Sequence, residues 1–250
     1  MVAATNSSNS AITAIVTGAG RGIGKETALL LAARGVNVAV CSRTQGEIDR
    51  VAGQISRLYS RRVLGMKCDV GDAGQVMAFV AATVERFGPY IDILVNNAGV
   101  AVLKRLEDTT EKEWDETINS NLKSAFLCCK AVLPCMKSSS NNSGGRGGGG
   151  TIINVSSVAG TAGFQNLSAY CASKFGMMGL TASLAWEVPA GVRVMAMCPG
   201  DVDTDMQDVD PQYRRANRHR MLTARQVAEK IVEMIFDKSR YRNGQSVVME

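Results

Sequence analysis

Short runs of β-branched and apolar residues alternate along the chain with longer stretches whose apolar positions recur at helical spacing. The runs at 12–17, 36–41, 62–69, 91–96, 151–156 and 193–198 are predicted strands, and 244–249 is a predicted edge strand. They are near-continuously apolar rather than alternating, the mark of strands buried on both faces. Parallel neighbours need a crossover between them, and the helical intervals supply it. The pattern predicts an α/β fold, a Rossmann-type doubly wound parallel sheet of about seven strands with helices on both faces.

Two segments break the rhythm. At 138–150 the run SSSNNSGGRGGGG has no apolar residue and would lose much backbone entropy on ordering, so it reads as a flexible insertion between a helix and the fifth strand. At 205–220, acids give way to Arg214, Arg215, Arg218, His219 and Arg220. This stretch is either a helical lid favouring anionic substrates or a solvated helix face. Residues 1–10 read as a disordered leader, and 11–250 as a single catalytic domain.

Composition narrows the function classes. The chain has 250 residues, 46% of them apolar, which suits one α/β core. Its 28 basic and 23 acidic side chains leave a net charge of +5, mild and interspersed, so nucleic acid is not an expected partner. No apolar run reaches the roughly 18 residues that cross a bilayer, and no secretory pattern opens the chain. The seven cysteines include no C-x-x-C pair, which argues against a zinc site or a disulfide framework. Reduced thiols imply a cytoplasmic protein, with an organellar form left open. The single histidine, His219, leaves no His-pair metal site, and no metal is expected.

The first predicted strand runs into Thr17-Gly18-Ala19-Gly20-Arg21-Gly22-Ile23-Gly24, followed by an apolar helix at 25–33. Glycines there let the backbone turn sharply and approach a pyrophosphate, which rests on the exposed N–H groups of the helix start. Between a strand and a helix, such a turn predicts a dinucleotide site. An acid at the end of the next strand would accept from the adenosine ribose 2′-hydroxyl and repel a 2′-phosphate. The chain has Ser42 and Arg43 instead, with Arg21 on the same side, which favours NADP(H).

Tyr170 and Lys174 stand four residues apart, hence on one face of a helix. A neighbouring cation would stabilise the phenolate and bring the phenol toward a working pKa. With VSS at 155–157 ending the fifth strand, the chain resembles the short-chain dehydrogenase/reductase family. The motifs TGAGRGIG at 17–24, CDV at 68–70, NNAG at 96–99, INVSS at 153–157, YCASK at 170–174 and CPG at 198–200 carry the resemblance, over roughly three quarters of the length.

The resemblance implies the following roles. Ser157, rather than Ser156, binds the substrate carbonyl oxygen, and Tyr170 donates a proton to it. Lys174 holds the nicotinamide ribose and lowers the Tyr170 pKa, while Asn121 supports a water relay. Asp69 and Val70 lie beside the adenine. Asn97, Ala98 and Gly99 pass under the cofactor, with Asn97 structural or binding. Pro199, Gly200, Val202 and Thr204 cradle the carboxamide.

The central region is similar to 3-oxoacyl carrier-protein reductases, with departures. Trp186 stands where those enzymes carry a basic residue, their closing Gly-Gly is missing, and Arg146 alone remains to replace a base before the fifth strand. A general NADPH-dependent carbonyl reductase, or alcohol dehydrogenase in reverse, is therefore expected. A 3-oxoacyl-thioester reductase is the alternative, and a non-catalytic NADPH-binding protein a third. Segments 100–106, 160–167 and 206–222 are the expected pocket walls. The resemblance further implies a homodimer or homotetramer built through the helices at 111–136 and 166–188.

Overall fold

A computed structural model describes residues 12–60, 62–136 and 149–250. Nine strands are described: β1 Thr13–Thr17, β2 Asn37–Ser42, β3 Val63–Lys67, β4 Ile93–Asn96, β5 Thr151–Val155, β6 Arg193–Pro199, β7 Val202–Asp203, β8 Leu222–Thr223 and β9 Ser246–Met249. The eight α-helices are α1 Gly22–Ala33, α2 Gln45–Tyr59, α3 Ala73–Phe87, α4 Glu111–Ile118, α5 Ser124–Val132, α6 Ser168–Glu187, α7 Pro211–Asn217 and α8 Ala224–Phe236. Seven strands form one sheet in the order β3-β2-β1-β4-β5-β6-β9. All its pairings are parallel, with Ala14 opposite both Val38 and Ile93.

The sheet is covered on both faces, as its unbroken apolar strands require. In β1, Ala14 and Val16 point into one core layer with Leu31 of α1, Ile48 of α2 and Ile231 of α8. Ile15 points the other way, to Phe79 of α3, Val132 of α5 and Leu184 of α6. Strand order reverses beside β1, between β2 and β4, and opens a crevice beyond the carboxyl ends of the strands where ligands of such sheets bind. Local chemistry fixes the helix starts. Asp72 accepts from Gln75 N at the head of α3, and Thr110 and Glu113 form a capping box on α4. Arg193, opening β6, donates to Tyr241 O and Ile235 O at 2.8 Å each, and so ties the end of α8 to the sheet.

The structure departs from the expected elements in three places. The helix expected over 111–136 is continuous but not uniform: α4 passes into a π-helical turn, Asn119–Lys123, before α5, and a 3₁₀ turn with Pro134 follows at Leu133–Cys135. The π turn holds Asn121, and a turn of five residues is too short to show a period of its own in the sequence. The helix expected over 166–188 begins at Ser168, because Asn166 is left-handed with φ 62°. The short parallel pair β7–β8 was outside the expected set, since strands of two residues have no period to read. The leader at 1–10 and nearly all of the insertion at 138–150 lie outside the described residues.

Candidate active site

The glycine-rich turn is locked by its neighbours. Gly18 takes φ +62°, and a Cβ there would lie 2.7 Å from Ala98 Cα. Both positions thus demand close backbone approach. Asn97 donates through Nδ2 to Thr17 O and Gly18 O, 3.1 Å each, while Asn97 N and Ala98 N both donate to Thr17 Oγ1. The Asn97 side chain is therefore a clamp on the turn. Gly22, at φ +56°, opens α1, and the methyl of Thr204 faces it across the crevice. Gly24 packs against Gly18 and Asn97, so the first turn of α1 is pressed onto the loop.

Around the end of β2 the structure adds groups that the motifs did not indicate. Arg21 lies 3.8 Å from Glu47 and 3.5 Å from Asp205. Arg43 lies 3.4 Å from Glu116. Glu47 belongs to the first turn of α2, and its carboxylate sits over Gly20 and beside Ser42. Asp69 is exposed and accepts from Gly71 N at 2.9 Å, whereas Val70 is buried in the core behind it.

At the carboxyl end of β5, Ser157 is extended and its Oγ accepts from Ala159 N, which opens a 3₁₀ turn. The Ser157 hydroxyl lies on the side of the Tyr170 phenol, where it favours the ionised form of that phenol. The Ser156 hydroxyl turns away and donates to Lys174 O at 3.1 Å. A Cβ on Gly160 would meet that same carbonyl at 2.8 Å, so Gly160 is what lets the turn lie on α6. The two serines are thereby separated in duty: Ser157 faces Tyr170, and Ser156 ties β5 to α6.

Lys174 is buried, its Nζ donating to Val155 O at 2.9 Å and lying 5.4 Å from the centre of the Tyr170 ring. Burial pushes its ammonium down to about 8, while the Cys198 thiol pulls the other way. Tyr170 was expected to be lowered by this lysine. Instead desolvation pushes its phenol up to about 12, with the Ser157 hydroxyl opposing. The ammonium faces the ring and is engaged by a backbone carbonyl, so burial decides the direction. Asn121, fully buried, accepts from Val100 N at 2.7 Å and donates to Val100 O and Ser173 Oγ at 2.9 Å. Its amide thus holds the segment after β4 in place.

The segment from β7 to β8 forms the far side. Met206, in the 3₁₀ turn Asp205–Val209, brings its sulfur to 3.9 Å from the Tyr170 hydroxyl. Asp203 of β7 accepts from Arg214 at 2.9 Å and from Arg218 at 2.7 Å, and Arg214 also reaches Asp208. The expected wall segments meet where Lys104 N donates to Asn166 O at 2.8 Å. Gly200 N donates to Met249 O at 2.8 Å, which fixes the end of β6 to β9, and Pro199 pairs there as the last residue of its strand. Val202 is buried. Asp205 and Met206 lie at the start of the expected segments 205–220 and 206–222, whereas Asp203 carries no motif and falls outside them.

This architecture and these motifs have known relatives. The family model described as short chain dehydrogenase matches residues 12–214. The 2-(R)-hydroxypropyl-CoM dehydrogenase of Xanthobacter autotrophicus is 35% identical over 249 residues, covering 95% of this chain and 96% of that protein. The 3-oxoacyl-[acyl-carrier-protein] reductase FabG of Staphylococcus aureus is 34% identical over 243 residues, 94% of each chain. Among solved structures, the alcohol dehydrogenase of the archaeon Thermococcus sibiricus, complexed with 5-hydroxy-NADP, superposes with a TM-score of 0.82 at 26% identity over 95% of both chains. This chain belongs to the short chain dehydrogenase family and is an oxidoreductase acting on CH–OH and C=O groups.

Proposed function

We propose that the chain is an NADP(H)-dependent carbonyl reductase, reducing ketones or aldehydes and, in reverse, oxidising alcohols. The observation that carries this reading is the Ser157–Tyr170 hydroxyl pair at the carboxyl end of β5, with the buried Lys174 ammonium against the same ring. Two hydroxyls aimed at one point suit a carbonyl oxygen on which negative charge develops. Ser157 donates to that oxygen, and Tyr170 donates its proton. A phenol pushed up to about 12 is protonated at neutral pH, the state that reduction needs. Lys174 holds the nicotinamide ribose, and Asn121 keeps Val100 and the segment above it in register.

A nicotinamide dinucleotide fits the residues present. Gly18 and Gly22 hold left-handed backbone beside the start of α1, where side chains would fill the cradle. Gly18, Gly20, Arg21, Gly22, Ile23 and Gly24 bind its pyrophosphate and ribose, with Ser42 and Arg43 at the adenosine. Asp69 and Val70 flank the adenine, and Ala98 and Gly99 pass beneath. Pro199, Gly200, Val202 and Thr204 hold the carboxamide end. Bound there, the cofactor supplies the hydride. The preference for NADP(H) is supported by Ser42 where an acid would select NAD, and by Arg21 and Arg43 nearby.

The alternative, a 3-oxoacyl-thioester reductase, is supported by the Staphylococcus aureus relative. Against it, Arg214 and Arg218 are engaged by Asp203 and Asp208 instead of being presented to an anionic substrate. Trp186, 92% exposed, offers an acidic carrier no charge. A homodimer or homotetramer is supported by Phe126 on α5 and Phe175 on α6, both of which stand exposed on the single chain.

The test is NADPH consumption with an acetoacetyl thioester and with a small diketone, using Tyr170→Phe as the blank. Faster turnover of the diketone, with activity in Tyr170→Phe reduced at least about a hundredfold, is the expected result. Faster turnover of the thioester would install the alternative. Binding of NADPH without turnover of either would leave a non-catalytic binding protein.

A further inference from the structure

The sequence places no acid at the end of β2, yet the fold brings one there from α2. A Cβ on Gly20 would lie 2.7 Å from Glu47 Oε2 and 3.1 Å from Ser42 Oγ, so Gly20, Glu47 and Ser42 enclose one small volume beside the glycine-rich turn. Arg21 reaches the same carboxylate at 3.8 Å, and it also meets Asp205 at 3.5 Å. The Glu47 side chain is 24% exposed against 66% for Arg21, so the acid is the inner partner and the guanidinium the outer. In an open parallel sheet this is where the adenosine ribose is held, and an acid there accepts from a free 2′-hydroxyl and opposes a 2′-phosphate. Gly20 leaves room for that acid, since a side chain at this position would make the Glu47 carboxylate swing aside.

We propose that Glu47 is a specificity-determining residue for the dinucleotide: it accepts from the ribose 2′-hydroxyl of NAD(H) and repels the 2′-phosphate of NADP(H), so it opposes Arg21 and Arg43. This inference rests on the dinucleotide site proposed above. A 2′-phosphate must compete with Glu47 for Arg21 and with Glu116 for Arg43, which is 3.4 Å from that second acid. The preference for NADP(H) is therefore narrower than the two arginines alone would give. Glu47 escapes motif reading because it stands four residues beyond Arg43, in the first turn of a helix, where an acid is also expected as a partner for the helix dipole.

Calorimetric titration of NADPH, NADH and 2′,5′-ADP into the wild type, Glu47→Gln and Glu47→Ala tests the assignment. Both variants are expected to bind NADPH and 2′,5′-ADP about fivefold more tightly and NADH about twofold more weakly, shifting the preference about tenfold. Glu116→Gln is the control, expected to leave NADH affinity unchanged. An NADPH-to-NADH ratio that moves less than about twofold in both Glu47 variants, with thermal unfolding unchanged, overturns the proposal. A wild type that binds NADPH and NADH, with Glu47 variants indifferent to both, sinks this inference alone. A wild type that binds neither dinucleotide overturns the proposed function together with it.

Discussion

Lys174 and Tyr170 are moved in opposite directions by the same cause, since burial disfavours the ammonium of one and the phenolate of the other. Each keeps a proton balance that suits reduction at neutral pH, and Lys174 does so at a cost in stability. Its folded-state value of about 8 lies below the ordinary 10.5, so the folded chain bears a penalty at pH 7 that is relieved as pH rises from about 8 to 10.5. Lys174→Met removes the penalty and leaves Val155 O without its donor, for a net gain of about 1–2 kcal/mol at pH 7. Urea unfolding of the two proteins, without added dinucleotide, is expected to show that gain at pH 7 and to show it reversed by pH 10.5, where the wild type has shed the penalty and its neutral amine still donates to Val155 O. The same variant should be inactive. A wild type as stable as Lys174→Met at both pH values would mean that Lys174 is not desolvated.

At the level of elements, the strands and the glycine-rich turn were legible because their chemistry is local. Apolar runs encode burial on two faces, and Gly18 and Gly22 encode backbone that few other residues adopt. Gly18→Ala is accordingly expected to destabilise the chain by more than about 2 kcal/mol, through positive φ and the approach to Ala98, and to remove dinucleotide binding. A thermal melt and a binding titration check it; an unchanged melting temperature would contradict the close approach. What the sequence did not disclose depends on partners distant in the chain. The π turn around Asn121 is paired with Val100, Glu47 meets Gly20, and Asp203 meets Arg214 and Arg218. Each is a contact between ordinary residues, visible only when the elements are assembled. The pairing of Ser157 and Tyr170 could be anticipated through a family motif, whereas the upward displacement of the phenol required knowing what surrounds it.

Across the whole molecule, the two core layers share a sheet whose strands supply both packing and site. Ser157 stands at the end of β5 and Tyr170 and Lys174 on α6, while the glycine-rich turn and the 202–222 segment approach from either side of the crevice. Arg21 and Asp205 meet across that crevice, so the glycine-rich turn and the 3₁₀ turn at Asp205–Val209 are in ionic contact. The seven cysteines are distributed through this body: Cys41 on β2, Cys68 beyond β3, Cys128 and Cys129 on α5, Cys171 on α6 and Cys198 on β6 are buried, and Cys135 is partly exposed. All are free thiols. A thiol sealed in the core reacts with a bulky disulfide reagent only when its surroundings open, so reactivity measures opening free energy. Cys135 is expected to react quickly and the other six slowly, at rates that converge as urea approaches the unfolding midpoint. Six rapid thiols in the native protein would contradict the packing described. The cysteines therefore give the chain an internal set of clocks, concentrated in the layer beneath α3 and α5 and absent from the layer beneath α1, α2 and α8, by which the opening of that one side can be timed without attaching any label beforehand.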